Sequence, residues 1–170
     1  NVQILHKFKS DKMFSLDVGF RHDLLDKETN VGRLRPYVGG SIYFRIDNPD
    51  KKGSMELSFH TYLLGFDEVN FVAHTHPRNT LKILCKQSSS MFATERLFPD
   101  QVVFNGGQSC LVPYAKPGIE LTSLIKERVE FFINSHGYFP KLILLENHGI
   151  ITCGKTIGEC IVATDICEKS

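Results

Sequence analysis

The chain has 170 residues, with 20 Lys and Arg against 19 Asp and Glu and a net charge of +1. That is long enough to bury a real core, and it excludes the strongly basic surface of a nucleic-acid or anionic-membrane binder. No apolar run approaches the roughly 20 residues of a membrane span, and no signal-peptide pattern opens the chain. The five cysteines form no Cys-x-x-Cys pair and read as free thiols in a reducing compartment, with the cytoplasm as the expected address.

The first 40 residues are the least readable, mixing short apolar pieces with charges around Gly39-Gly40. Residues 42–46 read as a strand and 47–53 as a turn rich in Asp, Asn, Pro and Gly. A helix is predicted from Ser54 to about Leu64, with Ser54 as its cap, Met55, Phe59, Tyr62 and Leu63 on one face, and Gly65 as its stop. A strand follows through Phe71-Val72-Ala73-His74-Thr75-His76 and ends at Pro77, then a helix around Leu81, Leu84 and Cys85. Two β-rich pieces are expected near 102–104 and 110–112, separated by a hairpin-like turn at Asn105-Gly106-Gly107. Pro117-Gly118 opens a long amphipathic helix carrying Leu121, Ile125, Val129 and Phe132, which Gly137 stops. The run 142–145 leads through Glu146-Asn147-His148-Gly149 into a further strand. Thr156 and Glu159 then have capping-box spacing for the last helix, in which Cys160 and Cys167 read as core packing. The pattern is an α/β or α+β domain whose helices cover a mixed or antiparallel sheet.

Strand side chains alternate between faces, so His74 and His76 project from one face at the strand's exit, and Thr75 packs on the other. His148 ends a second buried-looking strand. Three imidazoles leave a coordination position open for substrate or water, and they suit zinc or another divalent first-row ion. A cupin places a glutamate four or five positions after its His-x-His, and a binuclear metallo-hydrolase continues it with Asp-His. Arg78, Asn79, Thr80 and Leu81 exclude both patterns. Glu56 stands in the first helical turn, where the macrodipole favours a carboxylate; near a metal it becomes a candidate proton shuttle. Ser54 could also place backbone donors toward an anionic substrate group. His60 reads as a hydrogen-bonded structural histidine, and His136 as complementing a helix C-terminus. Glu146 or Asn147 are candidates to orient the His148 ring.

Taken together, Ser54-Met55-Glu56 with Phe59-His60, Ala73-His74-Thr75-His76-Pro77, Val112-Pro113-Tyr114 with Pro117-Gly118, Leu145-Glu146-Asn147-His148-Gly149-Ile150 and the closing Glu168-Lys169 resemble the class II aldolase/adducin family. The resemblance covers roughly residues 40–170, and residues 97–103 look like a feature of the rhamnulose-phosphate aldolase relatives. It implies a three-layer αβα sandwich around a largely antiparallel sheet, in a single domain over 1–170 that is open to continuation at either end. It also implies a homotetramer whose site a neighbouring subunit completes. His74, His76 and His148 would match the zinc ligands, Glu56 the acid/base glutamate, and Ser54 a contact to substrate phosphate. The implied activity is metal-dependent cleavage of a ketose phosphate to dihydroxyacetone phosphate and an aldehyde. Epimerisation, or dehydration of a methylthioribulose phosphate, would use the same site. A non-catalytic adducin-like assembly domain is the rival reading, against which the retained histidines and Glu56 speak. The family's Gly-Asn-Ser phosphate loop is not recognisable near the N-terminus.

Overall fold

The computed structural model describes the backbone course of residues 2–7, 12–22 and 34–44, and residues 56–170 in full. Three strands come first: β1 (Val2–Lys7), β2 (Lys12–His22) and β3 (Leu34–Phe44). There follow α1 (Leu57–Leu63), β4 (Phe71–Thr75), α2 (Arg78–Leu84), α3 (Ser89–Thr94) and α4 (Pro99–Asn105). The chain closes with β5 (Cys110–Val112), α5 (Ile119–His136), β6 (Leu142–Leu145), β7 (Gly149–Gly154) and α6 (Ile157–Glu168). The strands form one sheet in the order β3-β2-β1-β4-β7-β6-β5. Every neighbouring pair is antiparallel except β5–β6, whose parallel pairing is bridged by α5.

Side-chain alternation divides the core into two layers around the sheet. On one face, Phe59, Leu63, Leu121, Ile125 and Val129 of α1 and α5 pack against Val72, Ile143 and Ile151. On the other, Leu84, Ala93, Cys160 and Cys167 of α2, α3 and α6 cover Ala73, Leu142, Leu144 and Ile150. The result is the three-layer αβα arrangement, with β4, β6 and β7 buried on both faces and therefore almost wholly apolar. The cysteines are free, and Cys160 and Cys167 are buried packing groups, as expected.

The long helix and its Gly137 stop lie where the sequence places them, Gly137 being left-handed at φ 76°. The last helix starts at the Thr156 cap, whose hydroxyl accepts from Glu159 N at 3.2 Å. Four expectations need correction or restriction. The stretch 102–104 is helical, not β-rich: Pro99 starts α4, and the Gln101 side chain reaches back to the N–H groups of Leu97 and Phe98, capping the helix. Its β-branched valines lie on the exposed side, and Asn105-Gly106 is a helix exit with Gly106 at φ 84°, not a hairpin turn. The helix before the histidine strand begins at Leu57 with Glu56 at its cap position, and Ser54 lies outside the described residues. The strand expected at 42–46 runs from Leu34 to Phe44, and the turn at 47–53 lies outside the described residues.

Candidate metal centre

β4 pairs with β1 on one side and β7 on the other, with His74 opposite Gln3 and Ile151. His74 shares the face of Val72, so it points into the α1/α5 layer, where it is 3% exposed. Helix α1 lies over that face. Phe59 meets His74 edge-on at 5.6 Å between ring centroids, and this packing brings Glu56 over the same spot. His148 arrives from the tight β6–β7 turn, in which Asn147 takes the left-handed conformation at φ 55° that Asn tolerates. Gly149 then opens β7. A Cβ there would stand 2.6 Å from the Thr75 carbonyl oxygen and collide with the His76 ring, so only glycine allows the two ligand-bearing strand ends to approach this closely.

The ring nitrogens of His74, His76 and His148 converge within 4.8 Å of one another, a group that could hold a metal ion. His74 Nε2 is 3.0 Å from His76 Nε2, close to the roughly 3.3 Å between donors on a tetrahedral ion with bonds of about 2.0–2.1 Å. The Glu56 Oε1 atom lies 3.5 Å from His74 Nε2 and 3.3 Å from His148 Nε2. His74 Nδ1 lies 2.9 Å from the Ile150 carbonyl oxygen, to which it can only donate, so Nε2 is the nitrogen turned toward this centre. Three imidazole nitrogens and a carboxylate oxygen therefore converge on one point, an arrangement a cation would hold together. The donor set thus fits a divalent ion.

Electrostatics agree with this. Hydrogen bonds with His148 and His74 hold the Glu56 carboxyl well below the usual carboxylate range against the opposing effect of burial, so it is ionised at neutral pH. Burial, reinforced by His74 and His148, pushes His76 down to about 4, which leaves it a neutral ligand at physiological pH.

The other sequence candidates fall away from the centre. Glu146 accepts the Ser89 hydroxyl at 2.5 Å, and the Asn147 N–H donates to the Leu84 carbonyl, so neither orients the His148 ring as expected. The orienting group that the structure does show serves His74 instead: it is the backbone carbonyl of Ile150, which no residue type signals. His136 caps its own helix through Phe132 O and reaches Gln108, away from the site.

His60 corrects another expectation. It is fully buried and stacked on Phe59, but neither ring nitrogen finds a hydrogen-bond partner among the described residues. Burial pushes its imidazole down to about 3. The unfolded chain takes up this proton near pH 6.5, while the folded one refuses it until about pH 3. Stability is therefore full above about pH 6.5 and lost as pH falls through that window. His60→Phe, which keeps the stacked ring, is expected to lose about 2 kcal/mol less than wild type between pH 7 and pH 4.5 in urea denaturation. Gly149→Ala is expected to displace His76 and lower metal occupancy, read by metal analysis, because the added methyl meets both the His76 ring and the Thr75 carbonyl oxygen of the backbone.

The profile of the class II aldolase and adducin N-terminal domain matches residues 29–170. The chain belongs to this family. YuxG of Bacillus subtilis, named an uncharacterized oxidoreductase, is 28% identical over 159 residues, covering 94% of this chain. The chain spans only about a fifth (20%) of the length of that curated relative. Among solved structures, a sugar-phosphate aldolase from Thermotoga maritima superposes with a TM-score of 0.63 at 18% identity, over 99% of this chain and 81% of its own. YgbL from Escherichia coli, described only as an aldolase, epimerase or decarboxylase candidate, gives 0.62 at 18% identity, over 99% and 74%. At such identity these two speak for the shared fold of the family.

Proposed function

We propose that the chain is the catalytic domain, over 1–170, of a metal-dependent aldolase that cleaves a ketose phosphate into dihydroxyacetone phosphate and an aldehyde. The observation that carries this reading is the convergence of three imidazoles and one ionised carboxylate at the exit of β4. His74, His76 and His148 would hold zinc or another divalent first-row ion. Bound there, the ion would supply a Lewis acid that stabilises negative charge developing on substrate oxygens. Glu56, ionised on the same centre, would take the proton that the hydroxyl of the departing aldehyde carbon gives up as the carbon–carbon bond breaks and deliver it to the enediolate carbon, the two transfers reversing in the condensation direction. Ser54, two positions before Glu56, contacts the substrate phosphate. Epimerisation is the second reading. It would use the same cleavage, with the aldehyde turning and the bond re-forming on an enediolate carbon that has received no proton; YgbL, whose description includes epimerase among its candidates, shares the fold.

Purified protein assayed for metal and screened against ketose 1-phosphates tests the reading. One divalent ion per chain with dihydroxyacetone phosphate release is the expected result, whereas a chain that takes up no ion at any supply overturns it. The domain is proposed to work in the cytoplasm as a homotetramer. Light scattering at micromolar concentration is expected to give four chains, and a monomer would contradict the assembly.

A further inference from the structure

β4 ends at Thr75, so His76 stands beyond the ladder, exposed, with its backbone running directly into Pro77 and α2. The strand orients His74, but something else must fix His76. Helix α2 starts without a side-chain cap of its own, since Pro77 at the cap position has no acceptor in its side chain. Its first donors are taken instead by Glu168, 89 residues away at the end of α6. Asn79 N donates to both carboxylate oxygens at 3.0 Å, Thr80 N to Oε2 at 3.1 Å, and the Thr80 hydroxyl to Oε2 at 3.2 Å. The other end of the same short helix touches the second ligand loop, because the Leu84 carbonyl accepts the Asn147 N–H at 3.2 Å, one residue from His148. Helix α2 is therefore a strut between the loops of His76 and His148, and Glu168 pins the end next to His76.

We infer that Glu168 is a positioning residue of the proposed metal centre: by clamping the first turn of α2 it sets where His76 and His148 stand relative to each other. The inference rests on the metal-site reading for its purpose but not for its geometry. His74 needs no such help, because the Ile150 carbonyl already orients it.

The test uses Glu168→Gln, which keeps one acceptor oxygen but places an amide N–H₂ against backbone donors, and Glu168→Ala, which keeps none. The control is Thr164→Val, which removes an α6 hydroxyl bonded to Cys160 O and lying near Thr152 of β7, without touching α2. Ring signals of ¹⁵N-labelled histidine in the metal-free protein are read first, then Co²⁺ affinity. The expected result is that Glu168→Gln moves the His76 and His148 signals, leaves His136 in place, and weakens Co²⁺ binding about 10–100-fold, as loss of outer supporting groups does. Glu168→Ala should do more, and Thr164→Val neither. Wild-type ring signals and affinity in folded Glu168→Gln, or equal shifts in Thr164→Val, overturn the inference. Should the wild type bind no Co²⁺, the metal-site reading falls, while the ring signals still decide whether Glu168 positions the two histidines.

Discussion

Glu56→Gln is expected to lower turnover about 10²–10⁴-fold while leaving metal content near that of the wild type. The substitution keeps the side chain's shape at the start of α1 but removes its ability to accept a proton. The three imidazoles would still hold the ion, so binding and chemistry separate. The wild-type carboxyl is ionised throughout the physiological range because His148 and His74 hydrogen-bond to it, so its loss should cost activity at every pH where the enzyme is folded. Turnover within a few-fold of wild type on any substrate found, with metal bound, would return Glu56 to the role of a helix-start carboxylate.

His148→Ala should behave differently, with metal occupancy and activity falling together. Two imidazoles, His74 and His76, would remain, and the Nε2 atom 3.3 Å from Glu56 would be gone. The loss of affinity should exceed the 10–100-fold that supporting groups outside the ligand set produce. Metal analysis after dialysis against a fixed buffered supply of Zn²⁺ checks this. Full occupancy in this variant would remove His148 from the ligand set.

The contrast between these variants follows from what the sequence makes legible. His74 and His76 are readable because strand alternation turns a two-residue spacing into a shared face, and His148 because it ends a buried run with a turn behind it. Glu56 is readable as a helix-start carboxylate, yet its arrival over His74 depends on Phe59 packing edge-on against that ring, which no local pattern encodes. The Ile150 carbonyl and the grip of Glu168 on α2 are long-range hydrogen bonds, so periodicity is blind to them. Gly149 is visible as a glycine opening a strand, but the close approach that requires it is not. The α4 segment misleads for a different reason: Val102, Val103 and Phe104 carry β propensity, while Pro99 and the Gln101 cap decide the backbone. The first three strands are the least legible, with only the end of β3 read, because their apolar residues are interleaved with charges and one edge of β1 pairs with β4, far along the chain.

That last point bears on how the molecule comes into being. β1 can zip to β2 as soon as both exist, but its other edge must wait for β4, and β4 in turn waits for β7 near the end of the sequence. Pairings this distant close slowly, and an unpaired strand edge is open to other chains meanwhile. β7 also carries the Ile150 carbonyl that fixes the His74 ring, and His148 comes with the turn before it. The ligand set is thus assembled only when β7 meets β4. A nascent chain has no half-built centre to load, and metal supplied during synthesis should speed neither collapse nor early strand pairing; its stabilising effect is confined to the finished fold.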